Sequence, residues 1–289
     1  MTHTLRRSVL FMPASNPRAI ARARTLPCDA VILDLEDAVA PEEKARAREA
    51  AVAAAGEGFG GRTLVLRVNG LDTPWGSDDL AAAAGAPFAA VLAPKVETPD
   101  DVPRYADRLG DGQELWIMVE TARAVLGIES LAACAADTAL STMVLGFNDL
   151  AKEMRARPGP DRAPFLPFLS ATVAAARVHG LTVLDAVYNA FDDADGFARS
   201  CAQSVEFGCD GRSLIHPSQI GPCNAAFSPN EADVAQARAV VAAFALPENG
   251  GKGAVRIGGA MVERLHLAEA ERLLAFAAAC AERERGSNL

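Results

Sequence analysis

The sequence has no run of basic residues, and its acids outnumber its bases 37 to 28, a formal net charge of −9. A general nucleic-acid binder needs a basic surface to meet the phosphate backbone, so that class is excluded. A small phosphate-bearing ligand is not excluded, because a few local arginines suffice to hold one. No apolar stretch approaches the about 18 residues of a membrane span. The opening MTHTLRRSVLFMPASNP carries two arginines, but its apolar stretch is too short for the core of a secretory leader. The six cysteines, at 28, 134, 201, 209, 223 and 280, form no CxxC pair and no zinc-ligand spacing. They read as reduced, mostly packed thiols of a cytoplasmic protein. Internal repeats and low-complexity linkers are also lacking.

What is present is a large apolar fraction, 50% of 289 residues, enough to bury a substantial core. Short β-rich runs alternate with alanine-rich runs of helical period. The strand candidates are Ser8–Met12, Ala30–Leu35, Thr63–Val68, Ala89–Pro94, Glu114–Val119, Thr142–Gly146, Thr182–Ala186 and Arg212–Ile215. Most are nearly continuous apolar runs, as expected of parallel strands covered on both faces. The helical stretches between them include Pro41–Ala55, Pro99–Leu109, Ala122–Ala135, Asp161–His179 and Asp192–Phe207, and the proline-rich Ala156–Pro167 reads as a loop. Eightfold strand–helix alternation predicts an α/β fold of the (β/α)8 TIM-barrel type. The competing doubly wound sheet lacks its glycine-rich fingerprint, since the turn after the first strand reads PASNPR.

The expected division is a barrel over residues 1–228 and a C-terminal helical extension over residues 229–289. The extension reads as a helix over Asn230–Phe244, a possible hairpin strand at Ala254–Ile257 within a glycine-rich loop, and a second helix over Leu265–Ala281 with Gly286 beyond it. It is too small for an independent domain, so packing on the barrel or on a neighbouring subunit is expected.

In such barrels the chemistry sits at the C-terminal strand ends. There the sequence offers Asp34-Leu35-Glu36-Asp37, Arg67-Val68-Asn69, Lys95, Glu120, Asn148-Asp149, Asp185, Tyr188-Asn189 and His216. Glu36, Asp37, Glu120 and Asp149 at one mouth repel each other unless protonated or bridged by a cation. Two carboxylates completed by water and substrate oxygens suit magnesium, which makes Glu120 and Asp149 candidate ligands. Any single acid has a plainer alternative, capping a helix or pairing with an arginine. Arg67 suits a ligand carboxylate or a developing oxyanion, or a salt bridge to Glu36 or Asp37. Lys95 is expected in an ion pair rather than a Schiff base, because neighbouring carboxylates keep its ammonium charged. Asn16 before Pro17 marks a helix start, and Arg18 and Arg22 share a face behind it, where they either hold a phosphate or remain solvated. His216 reads as structural, and Asp185 as a buried group that orients a neighbour.

Several segments together resemble the citrate lyase β-subunit-like family, within the malyl-CoA lyase and HpcH/HpaI aldolase superfamily. They are Arg7-Ser8-Val9-Leu10-Phe11-Met12-Pro13, Asp34-Leu35-Glu36-Asp37-Ala38-Val39 with Lys44 behind it, Leu66-Arg67-Val68-Asn69-Gly70, Ala93-Pro94-Lys95, Glu120-Thr121-Ala122-Arg123-Ala124, Gly146-Phe147-Asn148-Asp149-Leu150 and Gly211-Arg212-Ser213-Leu214-Ile215-His216-Pro217. The resemblance spans essentially the whole chain. It implies a TIM-barrel carbon–carbon lyase that cleaves or forms a β-hydroxyacyl-CoA, such as malyl-, citramalyl- or citryl-CoA, giving an acyl-CoA and a 2-oxo acid. It further implies Mg2+ on Glu120 and Asp149, with Arg67 holding the 2-oxo acid portion. Asn148 and His216 fall near the substrate, and Phe11, Arg18 and Arg22 near coenzyme A.

The family's acid near the C-terminus, contributed by a neighbouring subunit, aligns with Glu263; its usual aspartate and basic residue are replaced by Gly258 and Ala260. The acid/base is therefore Glu263 or Asp37. A cyclic trimer, or a hexamer built from two, is the family expectation. Three other activities fit the same residues: a malyl-CoA thioesterase, a CoA-independent 2-oxo-acid aldolase, and a non-catalytic or carrier-dependent citrate lyase β-like subunit.

Overall fold

The computed structural model describes residues 4–287. Eight parallel strands close into a barrel in chain order, with β8 pairing back to β1. They are β1 (Ser8–Pro13), β2 (Ala30–Asp34), β3 (Thr63–Arg67), β4 (Ala90–Ala93), β5 (Glu114–Val119), β6 (Leu140–Leu145), β7 (Thr182–Asp185) and β8 (Gly211–Leu214). The predicted (β/α)8 fold is the observed one.

Side chains alternate across each strand, so every second residue enters the barrel. The interior is filled by Val9, Ala30, Ile32, Val65, Ala90, Leu92, Trp116, Met118, Val144 and Leu184, with Phe11 against them. Leu10, Val31, Leu33, Leu64, Leu66, Val91 and Ile117 point outward into the larger core beneath the helices. The same parity, carried two residues past Ile32, Val65 and Met118, turns Asp34, Arg67 and Glu120 inward. Alternation thus converts three apolar strands into three polar groups at one end of the barrel.

Several element boundaries differ from the sequence expectation. Pro41–Glu43 form a 3-10 turn, and the helix proper runs Lys44–Glu57. The stretch Ala122–Ala135 is not one helix. It breaks at Gly127 into Ala122–Leu126 and Ile128–Ala133, as the low helix propensity of glycine allows. Pro167 lies in the first turn of the helix Leu166–His179, where a missing N–H costs nothing, rather than in the preceding loop. Helices over Gly76–Ala84, Phe147–Met154 and Ile220–Phe227 lie in stretches for which the sequence reading gave no helix bounds. The first lies in a stretch of weak amphipathic pattern, and the second begins immediately after β6.

The chain separates into two compact units, with Arg6–Phe227 holding the barrel and the other unit comprising chiefly Ser228 onward. In the latter, Asn230 caps the helix Glu231–Ala245 by accepting the Asp233 N–H. Strands β9 (Ala254–Ile257) and β10 (Ala260–Glu263) form an antiparallel hairpin. Its two-residue turn is Gly258-Gly259, with φ of +56° and +90°. Both values are left-handed, which explains glycine there. The last helix runs Arg264–Ser287, through the Gly286 that was expected to lie beyond it. Ala237, Val240, Phe244, Val255, Val262 and Ala270 form this unit's core. Among the described residues, no helix is long and apolar enough to cross a membrane.

Candidate active site

The C-terminal strand ends enclose a cavity of about 380 Å3. Phe11, Asp37, Arg67, Glu120, Asn148 and Asp149 line it, so six of the residues singled out in the sequence meet in one place. Asp34 also lines it, with an apolar wall that includes Met118, Leu145, Phe147, Val187 and Ile215.

Arg67, at the end of β3, is almost completely engaged. Its Nε and Nη2 donate to Asp34 Oδ1 and Oδ2 at 2.7 and 2.6 Å, a bidentate fork between adjacent strands. Its Nη1 faces Glu36 Oε2 at 2.8 Å and Asp37 Oδ2 at 3.7 Å. The guanidinium lies 5.0 Å from the centroid of the Phe11 ring. Burial disfavours the charge, but Asp34, its hydrogen bonds and Glu36 outweigh burial and hold the arginine pKa above its ordinary value. The principal partner is therefore Asp34, not the Glu36 or Asp37 expected from the sequence. Asp34 also accepts the backbone N–H groups of Glu36 and Ala38 at 2.9 and 3.4 Å, which shapes the loop carrying Glu36 and Asp37. The available signal for Asp34 was an acid closing an otherwise apolar strand.

Lys44 supports that loop from behind. Its buried ammonium donates to the Leu35 and Glu36 carbonyls and to Asn69 Oδ1, each at 2.7 Å. Asn69 donates in turn to the buried carboxylate of Asp79 at 2.6 Å. Burial pushes the Lys44 pKa down and the Asp79 pKa up.

Glu120 follows β5 and is only 3% exposed. Its Oε1 accepts the Lys95 N–H at 2.8 Å. Burial first, and then the charge of Glu36, push its carboxyl pKa up to about 7. Burial likewise raises Glu36. Asn148 and Asp149 do not end a strand, as the sequence suggested. They occupy the first turn of the helix Phe147–Met154, two and three residues after Gly146. Asn148 is exposed and exchanges hydrogen bonds with Asn189 across the mouth at 2.8 and 3.3 Å.

Lys95 adopts a left-handed conformation, φ +48°. Its ammonium hydrogen-bonds Glu36 and lies 3.6 Å from Asp149 Oδ2 and 3.9 Å from Asp37 Oδ1. Burial opposes the charge, yet Glu36 and Asp37 raise the lysine pKa above its ordinary value. This is the expected ion pair; a Schiff-base lysine needs the opposite shift.

A hard divalent cation fits this mouth. Glu120 and Asp149 are oxygen donors facing one cavity, and a cation relieves the burial and repulsion that raise Glu120. The space beside Glu120 is kept open by Gly146, whose Cβ, if it had one, would stand 2.8 Å from Glu120 Oε2. Among the described residues, no group of three or more His, Cys, Asp or Glu forms a metal cage. Two carboxylates with water or ligand oxygens are the magnesium arrangement that remains.

Other predicted residues lie elsewhere. His216 is exposed, and its ring nitrogen accepts the Ser218 N–H at 3.2 Å and caps the turn Pro217–Gln219. It stacks on Phe191 with ring centroids 4.9 Å apart. Arg18 and Arg22 are exposed on the helix Pro17–Ala23, which Asn16 caps with Pro17 in the first turn. Asp185 does not join the mouth. Strand parity turns it outward, where it meets Arg162 at 2.7 Å and Arg212 at 3.4 Å. Glu263 belongs to the C-terminal unit, where it is exposed at the end of β10 and its N–H donates to His266 Nδ1 at 3.0 Å.

Residues 7–217 match the HpcH/HpaI aldolase/citrate lyase family. This chain belongs to that family. Within it, the chain is 45% identical over 276 residues to a (3S)-malyl-CoA thioesterase of Cereibacter sphaeroides, covering 95% of each protein. It is 32% identical over 297 residues to an L-malyl-CoA/beta-methylmalyl-CoA lyase of the same species, covering 92% of each. The solved structure of protein CitE from Mycobacterium tuberculosis, in complex with magnesium, acetoacetate and coenzyme A, superposes with a TM-score of 0.79 at 30% identity. That match covers 96% of this chain and all of the CitE chain. The sequence expectation of a citrate lyase β-like member of this superfamily holds.

Proposed function

We propose that this chain is a magnesium-dependent thioesterase acting on a malyl-type CoA ester. The observation that carries the chemistry is the gathering of Arg67, Glu120, Asp149 and Asp37 around one cavity. The choice of hydrolysis rests on the 45% identity to a malyl-CoA thioesterase over nearly the full length of both chains.

The cavity wall offers carboxylates as bases rather than a protein nucleophile. Among the described residues that line it, the one serine, Ser213, donates its hydroxyl to the Asp185 carbonyl at 2.9 Å, and there is no histidine or cysteine. A carboxylate base that deprotonates a bound water is therefore the route to thioester hydrolysis. Asp37, 60% exposed at the cavity edge, is the base in this reading. Glu263 is the alternative, brought by a neighbouring copy in a trimeric or hexameric assembly. Glu120 and Asp149 would hold magnesium, which would supply Lewis-acid polarisation of the substrate oxygens when bound. Arg67, charged under all working conditions, faces the acyl carboxylate, and Asp34 fixes its plane. Phe11 and Met118 wall the acyl pocket. Arg18 and Arg22 face the CoA phosphates, and Asn148 flanks the acyl chain, while His216 lies outside the cavity lining.

Carbon–carbon cleavage is the second reading, favoured by the similarity to the malyl-CoA lyase. It uses the same base on the substrate hydroxyl instead of on water. The test offers malyl-, citramalyl- and citryl-CoA to the purified protein, with magnesium and with EDTA. Magnesium-dependent free CoA plus intact malate supports the thioesterase. An acyl-CoA plus a 2-oxo acid overturns it in favour of the lyase. A folded, metal-loaded protein inert on all three overturns both and leaves a carrier-dependent subunit.

A further inference from the structure

We propose that Lys95 is an internal counter-cation that holds the acidic mouth together in the absence of metal and competes with the divalent cation for Asp149. The inference rests on the reading of Glu120 and Asp149 as the cation ligands.

Four acids meet at the mouth, and one residue touches all of them. The Lys95 ammonium bonds Glu36 and lies within 4.0 Å of both Asp149 and Asp37, while its backbone N–H donates to Glu120. Arg67 cannot take over this duty. Its Nε and Nη2 are committed to Asp34, and Nη1 serves Glu36 with Asp37. Asp149 has no contact with Arg67 among the described ion pairs, so Lys95 is the cation it faces.

The chemistry of lysine suits a placeholder. An ammonium is a compact, strongly hydrated point charge on a flexible stem, without the fixed fork of a guanidinium. The Lys95 side chain is 49% exposed, so its end can leave for solvent without emptying the core. The anchor of that stem is rigid: the left-handed backbone at Lys95 is tied to the buried Glu120 carboxylate. A cation seated between Glu120 and Asp149 lies within a few ångströms of the ammonium. At that separation like charges repel strongly in a partly buried site. The ammonium must therefore swing outward or withdraw onto Glu36 when a divalent cation enters. Apparent cation affinity is weakened by that displacement, and the metal-free mouth is protected from the mutual repulsion of its acids.

The test measures Mn2+ and Mg2+ binding by calorimetry, and Mn2+ by electron paramagnetic resonance, in the full-length protein. Lys95→Asn removes the charge, and asparagine tolerates the left-handed backbone, so the fold is retained. Lys95→Met serves as a second variant, and Lys95→Arg keeps the charge. Both neutral variants are expected to bind Mn2+ roughly tenfold or more tightly than wild type, with Lys95→Arg close to wild type. Their metal-free melting temperature falls, and saturating Mg2+ restores more of it than in wild type. Unchanged or weaker Mn2+ binding in both neutral variants overturns the proposal. Glu120→Gln and Asp149→Asn, made in the wild-type background, separate the two levels of the argument. If both keep wild-type Mn2+ affinity, the ligand reading itself fails and the Lys95 proposal falls with it. If both lose affinity while the Lys95 variants do not gain it, only the Lys95 proposal falls.

Discussion

Gly146 exists at its position for the sake of Glu120. A Cβ on residue 146 would stand 2.5 Å from the Glu120 Cβ and 2.9 Å from the Met118 Cε, closer than carbon atoms approach. The turn from β6 into the helix bearing Asp149 thus passes directly against the buried glutamate of β5. Gly146→Ala must displace Glu120, its neighbour Met118, or the turn itself. Overpacking of this kind costs on the order of 1–3 kcal/mol. The larger effect is on the site: divalent-cation affinity should fall by at least about tenfold while the barrel's circular dichroism is retained. Cation titration of the variant checks this, and wild-type affinity would remove Gly146 from the account of the site.

The pairing of Arg67 with Asp34 makes a second prediction. Both side chains are buried, and the contact is bidentate. Asp34→Asn keeps the shape but leaves the guanidinium without its main counter-charge. Removing one partner of a buried pair costs about 3–5 kcal/mol. Arg67 also loses the plane in which it meets an acyl carboxylate. Stability in urea should drop by that amount, and kcat/KM should fall by at least about a hundredfold. Loss of stability with wild-type kcat/KM would show that Asp34 serves the fold alone.

The barrel was legible because its strands are written as apolar runs separated by helical runs, and the inward polar triad followed from strand parity once the strand ends were placed. Arg67 and Glu120 were visible for that reason, whereas Asp149 was visible only as an acid close behind β6 and reaches the mouth from a helix. Asp34 was overlooked as a partner because Glu36 and Asp37 lie beside it in sequence, and only the parity of β2 decides which acid turns toward β3. Asp185 misled for the same cause, since a one-residue step sends it outward to Arg162 and Arg212. Lys95 gave no helical or strand signal for its left-handed backbone, and its contact with Asp149 spans residues more than fifty positions apart. Helix ends were blurred wherever glycine or proline sat inside a periodic run, as at Gly127 and Pro167. The turn at Gly258-Gly259 shows why the departure from the family's acid there was hard to weigh: a side chain is lost, but a tight hairpin is gained.

Lys44 supplies a third prediction. The residue is 6% exposed, and its ammonium satisfies two loop carbonyls and Asn69 at once. Lys44→Met matches its length but strands those acceptors, each at a cost of about 1–3 kcal/mol. The loop carrying Glu36 and Asp37 should loosen, so the melting temperature falls and kcat drops more than KM rises. Faster hydrogen exchange confined to residues 35–40 is the accompanying signature. Exchange that stays at the wild-type rate would mean the loop is held by Asp34 without Lys44.

Asp185 makes the stability of the barrel depend on pH in a defined direction. Its fully buried carboxylate receives two hydrogen bonds from Arg162, at 2.9 and 2.7 Å, and one from Ser204 at 2.5 Å, with Arg212 beside it. Burial pushes the carboxyl pKa up, but Arg212, Arg162 and Ser204 outweigh burial and hold it below the ordinary carboxylate value. The unfolded chain, with its aspartate near the ordinary value of about 3.9, then binds more protons than the folded chain in acid. Folding stability from this group is therefore complete above about pH 4 and is lost as the pH falls through the lower, folded-state pKa. Asp185→Asn leaves Arg162 and Arg212 buried without their counter-charge, so it should be destabilised by about 3–5 kcal/mol at neutral pH. Its stability should decline less steeply than that of wild type below about pH 4, because the titrating group is gone. Urea denaturation at neutral pH and across the acid range measures both effects. Parallel acid profiles for the two proteins would place the source of acid sensitivity elsewhere.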